Sequence, residues 1–156
     1  MNSPKQIDVR QAHKYFSEKC FNAAWDLIRK IDRSESDMDM MVHLAHSSLY
    51  HWSKRADCTD QNLSVGYWQL SHVYALADRG EAAVRYAHVC LNYGQQHGVA
   101  RIFLGYAYEA LARAFMVNGE KDQADRYLSK AKEIAVSLDE VDCDQLIADV
   151  STINLD

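Results

Sequence analysis

Two stretches of this chain, 41 residues apart, set large and small side chains in the same order, and a fold must satisfy both copies at once. "YWQLSHVYALADRGEAAVRYAHVC" (Tyr67–Cys90) aligns with "YEALARAFMVNGEKDQADRYLSKA" (Tyr108–Ala131). Tyr67 meets Tyr108, Leu70 meets Leu111, Ser71 meets Ala112 and Tyr74 meets Phe115. In the second half of each copy Ala83 meets Ala124, Arg85 meets Arg126 and Tyr86 meets Tyr127. Two helices of this length cannot bury their apolar faces alone, so the neighbouring copy must supply the rest.

Breakers are scarce enough to make the whole chain helical. The 156 residues contain one proline, Pro4, and six glycines, while good helix formers abound. Periodicity and punctuation predict about seven helices. The first spans about residues 8–31, with Tyr15, Phe16, Cys20, Ala23, Ala24, Leu27, Ile28 and Ile31 at three- and four-residue spacing. The others span about 38–55, 63–78, 81–96, 99–117, 120–138 and 140–153. Ser36 or Asp37, Thr59 or Asp60, and Asp139 offer N-caps, Gly80 separates the third helix from the fourth, Gly98 marks a stop, and Asn118-Gly119 starts the sixth. Short turns predict antiparallel neighbours. One domain is expected over residues 1–156.

Within Tyr108–Ala131 the order is a large aromatic (Tyr108), Leu111, a small residue (Ala112), an aromatic (Phe115), Gly119 at the turn, then Ala124, Leu128 and Ala131. This spacing resembles the tetratricopeptide (TPR) repeat. The earlier copy fits at Tyr67, Leu70, Ser71, Tyr74, Ala83 and Cys90, with Asp78 where the family has glycine. The period departs from the family's 34 residues, so longer helices are expected. The phrases "YHW", "WQLSHVYA" and "AYEALARA" also resemble bacterial TPR-like proteins. The resemblance implies an all-α, right-handed superhelical stack of antiparallel helical hairpins. Residues 8–57 would form a diverged first hairpin, 63–97 and 99–138 two repeats, and 140–153 a capping helix.

In that family the first helix of each hairpin lines a concave groove. Carried across, the resemblance offers Val65, Trp68, His72 and Ala75, then Tyr106, Glu109, Arg113 and Met116. A helical wheel independently places Trp68, His72, Ala75 and Arg79 on a stripe opposite Tyr67, Leu70, Tyr74 and Ala77. Trp68 is either an aromatic anchor for a partner or an indole packed on the preceding hairpin. Glu109 and Arg113 are either handles for a peptide or an i,i+4 pair.

A second feature is "HLAHSSLYHW", His43–Trp52, which holds three of the seven histidines. On a wheel Met41, Val42, Ala45, Leu49 and Trp52 share an apolar face, and His43, His46, Tyr50 and His51 fall opposite, within an arc of roughly 140°. These four form a candidate ligand pocket. A metal reading would join His43 and His46 to His72 or Glu109, but the spacing is not HExxH and no cysteine pair helps. No metal or other cofactor is therefore expected. "SLDEVDCDQ" lacks the glycine and twelfth-position glutamate of a calcium loop and reads as acids in the first turn of a helix.

The net charge of −5, with 17 basic and 22 acidic residues well mixed, provides no basic stripe for nucleic acid. No apolar run approaches the ~20 residues of a membrane span, and "MNSPKQIDVRQ" has no apolar leader. Cys20, Cys58, Cys90 and Cys143 form no CxxC pair, which suits a reduced, cytoplasmic protein. No phosphate-binding glycine loop or nucleophile motif is present, so no enzyme is expected. The leading expectation is a non-enzymatic adaptor whose groove takes a protein or peptide. Its alternative is a small-molecule or metal-binding helical protein using the histidines. A homodimer is compatible with either.

Overall fold

A computed structural model of the protein describes residues 7–153; Pro4 and the rest of 1–6 and 154–156 lie outside the described residues. Among the described residues there are seven helices and no strand: α1 (Val9–Ile28), α2 (Glu35–Ser53), α3 (Asp60–Leu76), α4 (Gly80–Gly94), α5 (Arg101–Val117), α6 (Lys121–Ala135) and α7 (Glu140–Val150). The chain is an all-α stack of hairpins, as the repeat and the lack of breakers require.

Short polar side chains cap the starts of four of the seven helices, α1, α2, α3 and α7. Asp8 accepts from the backbone N–H groups of Arg10 and Gln11, and Asp139 from that of Asp142. Thr59 and Asn62 form a reciprocal capping box at α3. At α2 the cap is Ser34, three residues ahead of Asp37, not Ser36 or Asp37. Asp37 instead returns a bond to the Ser34 N–H, so the expected cap is the far half of the box.

The repeat is visible in the backbone. A 17-residue helix, a three-residue turn, a 15-residue helix and a six-residue link fill the period from Asp60 to Arg101. The Arg79 N–H donates to the Tyr74 carbonyl, and the Glu120 N–H to that of Phe115, both at 2.9 Å. Asp78 (φ 56°) and Gly119 (φ 79°) hold the left-handed position at the two turns. Glycine suits that conformation and aspartate tolerates it, which is why Asp78 can stand at the glycine position.

Packing follows chain order. α1 pairs with α2, α3 with α4 and α5 with α6; α4 also packs on α5, α3 on α5, and α7 closes on α5 and α6. Alanines at Ala83, Ala87, Ala110, Ala114 and Ala124 let the middle helices approach closely around Leu111 and Phe115. Met41, Val42, Ala45 and Leu49 of α2 meet Leu70 and Val73 of α3, and Leu128 and Ile134 of α6 meet Leu146 and Val150 of α7. On α1 the expected core stripe is only half right. Ala24 is buried and Leu27 and Ile28 pack on the α2–α3 core, but Tyr15, Phe16 and Ile31 are exposed. α1 has one partner hairpin, not two, so a narrower stripe suffices. α1 and α3 are bridged by side chains without close backbone approach: buried Gln69 donates from Nε2 to the Phe21 carbonyl at 3.0 Å.

No described helix is long and apolar enough to cross a membrane. The four cysteines are free; Cys90 is buried against Ser64, and burial pushes its thiol up to about 12.

Candidate functional site

Where α1 and α3 stand apart, the gap becomes a cavity. It is about 300 Å³, open to solvent, and bounded by α1, α3, α5 and α7. Five aromatic side chains wall it: Phe21 and Trp25 from α1, Trp68 from α3, Phe103 and Tyr106 from α5. Val65 and Ser64 add an apolar and a hydroxyl surface, and Arg29, Gln145 and Asp149 provide its charged and amide groups. Trp25 and Trp68 lie 5.3 Å apart, and Tyr106 meets Trp68 edge-on at 5.2 Å.

The aromatic walls are tied to a polar network behind them. The Trp68 Nε1–H donates to Glu109 Oε2 at 2.7 Å. Glu109, only 1% exposed, accepts on its other oxygen from Arg113, one turn along α5. Arg113 also donates to the Thr152 hydroxyl and the Asp149 carbonyl, which joins the end of α7 to the groove. The Tyr106 hydroxyl donates to Asp149 Oδ2 at 2.7 Å; burial, then this bond, raises the Tyr106 pKa and keeps the phenol a donor. Indole has one polar atom, and that of Trp68 is committed to Glu109. Its remaining surface is carbon and π-face.

His72 sits one turn beyond Trp68, with its ring 5.7 Å from Trp68 and 6.1 Å from Trp25. Its Nδ1 is shielded from solvent and has no hydrogen-bond partner. Burial, reinforced by the Arg113 charge, pushes its pKa down to about 3, so the ring is neutral near pH 7.

A second cavity of about 220 Å³ adjoins the first and shares Phe21 and Val65 with it. Its lining is richer in amides, with Asn22, Gln61 and Asn62 beside Trp52 and Glu18. The Asn62 carboxamide is used by the α3 cap. Together the two cavities make a groove along the α1–α3 gap, with five aromatic rings at one end and three carboxamides at the other.

The expected groove residues divide into three sets. Val65, Trp68 and Tyr106 face the cavity; Glu109, Arg113 and His72 support it from behind. Met116 packs in the α5–α6 interior, and Ala75 is buried in the same core. The Glu109–Arg113 alternative resolves as a buried i,i+4 pair.

The histidine segment does not converge. His46 Nε2 and the Tyr74 hydroxyl are 2.9 Å apart on the α3 side, whereas His51 pairs its Nδ1 with that of His13 on α1 at 2.8 Å. His43 and Tyr50 are exposed. Among the described residues no group of three or more His, Cys, Asp or Glu side chains is placed to hold a metal ion.

Phe21, Trp25, Arg29, Phe103, Gln145 and Asp149 were not among the expected site residues. Phe21, Trp25 and Arg29 recur at four-residue spacing beside the core stripe of α1, a signal present in the sequence. Nothing local marks Asp149, because its place depends on how α7 folds back onto α5.

No protein-family model, curated protein or solved structure matches this chain.

Proposed function

We propose that this chain is a non-enzymatic, TPR-like adaptor that binds an extended peptide segment of a partner protein in the α1–α3 groove. The observation that carries this reading is the pairing of two adjoining cavities with different chemistry. The aromatic one, about 300 Å³, has the size and apolar walls to take one large side chain. The other presents the carboxamides of Asn22 and Gln61, each with a donor and an acceptor, as a peptide bond has. An anchor residue in the first and main chain along the second is the division of labour expected of a peptide groove. The supporting network behind Trp68 holds the wall in place before binding, which lowers the ordering cost.

The test is selection of a displayed random dodecapeptide library on the full chain, followed by titration of synthetic winners. Binding should weaken at least tenfold with Trp25→Ala, a half-buried wall residue, while the melting curve stays cooperative. Failure to enrich any peptide, or winners indifferent to Trp25→Ala, would overturn the reading.

A further inference from the structure

Among the described residues, the Asp149 carboxylate lining the aromatic cavity belongs to no ion pair. Arg113 is matched by Glu109, whose Oε1 lies 2.6–2.8 Å from two of its guanidinium nitrogens. Arg29 has Asp26 at 3.7 Å, both well exposed. The Asp149 carboxylate accepts from the neutral Tyr106 hydroxyl, and no cation among the described residues lies within ion-pair distance of it. Arg113 reaches the Asp149 backbone carbonyl, not its side chain. An unmatched carboxylate therefore stands at one end of a cavity walled by five aromatic rings.

That combination has a chemical complement. Aromatic faces attract cations through the ring quadrupole, and indole does so best. The protein's own Arg29 already uses it: its guanidinium lies 5.7 Å from the centre of the Trp25 ring. Small hydrated ions gain little between carbon walls. A guanidinium is weakly hydrated, planar and able to stack, and its fork matches a carboxylate. Asp149 Oδ1 has no hydrogen-bond partner among the described residues, and Oδ2 keeps a lone pair after accepting from Tyr106.

We infer that the aromatic cavity is an arginine pocket: the peptide's anchor residue is an arginine, stacked among Trp25, Trp68 and Tyr106 with its guanidinium on Asp149. This inference rests on the peptide reading above and adds the identity of the anchor. Exposed Arg29 must swing aside as the incoming guanidinium takes its place over Trp25. Its removal should therefore help binding, not harm it.

The experiment uses peptides recovered by the library selection, resynthesised with the anchor as arginine, citrulline, lysine or norleucine. Citrulline keeps the shape of arginine and removes the charge. The expected result is that winners carry arginine and that citrulline binds at least tenfold more weakly. D149N should abolish that ratio with the melting temperature nearly unchanged, and R29A should raise affinity for the arginine peptide. Winners that depend on Trp25 but tolerate citrulline or norleucine would overturn the arginine pocket and leave the groove standing. Acidic winners weakened by R29A would do the same. Enrichment of no peptide would overturn both.

Discussion

Trp68 and Glu109 occupy the same position in successive repeat units, one 41-residue period apart, and they are bonded to each other at 2.7 Å. His72 and Arg113 are likewise equivalent, one turn further on. A stack of similar hairpins brings equivalent positions of its first helices side by side, so a repeat can build a polar side-chain network from a single helical stripe. Here the stripe carries Trp and His in one unit, Glu and Arg in the next, and the differences make the site.

Trp68→Phe keeps a ring in the wall and removes the one donor that Glu109 receives from α3. The buried carboxylate oxygen is left without a partner, which should cost about 1–3 kcal/mol. For a chain of this size that is a fall of roughly 2–4 °C per kcal/mol in Tm, readable by thermal denaturation. An unchanged Tm would mean that the bond is not formed in solution.

Arg113→Met should be more severe. Glu109 is 1% exposed and Arg113 16%, so the variant strands a carboxylate in a dry site at a cost of about 3–5 kcal/mol. The double variant Glu109→Gln with Arg113→Met keeps an acceptor for Trp68 and removes both charges. It should recover much of the loss in urea unfolding. Equal destabilisation by the single and double variants would contradict the ion-pair assignment.

His72 makes stability depend on acid. Its pKa is near 6.5 unfolded and about 3 folded, because burial disfavours the charged ring. Below 6.5 the unfolded chain holds the extra proton. The stability is thus fully present above pH 6.5 and is lost progressively toward pH 3. His46 and His51 are shifted in the same direction, chiefly by burial. His72→Gln should reduce the slope of stability against pH by up to about one proton in this window. An unaltered slope would mean that the ring is not desolvated.

Asp78 holds a left-handed backbone at φ 56°, the counterpart of Gly119. Asp78→Gly relieves a strain of about 1–2 kcal/mol and gives back part of it as unfolded-state entropy. The net expectation is a stabilisation of about 0.5–1 kcal/mol, read as a raised urea midpoint. A lowered midpoint would mean that the Asp78 side chain contributes more than its backbone costs.

The sequence made some of this legible and hid the rest for physical reasons. The α3 stripe with Trp68 follows from helical period, and Tyr106 and Glu109 on α5 from the resemblance to the TPR spacing, both of which are local. The cavity's other walls come from α1 and α7, whose placement depends on tertiary packing. Asp149 becomes a site residue only because Tyr106 and Arg113 reach the end of α7. The histidines show the opposite failure. His46 and His51 share one side of the α2 wheel, but its arc is wide enough to touch two neighbours, so α3 takes His46 and α1 takes His51. A shared face on a helix is therefore not yet a shared site.

The groove as a peptide-binding surface is tested most directly by the indole N–H resonances of the ¹⁵N-labelled protein during titration with a selected peptide. The expected result is saturable shifts at Trp25 and Trp68, with the backbone amides of α6 (Lys121–Ala135) unmoved. Binding that leaves Trp25 and Trp68 in place, or that moves α6 instead, would contradict it.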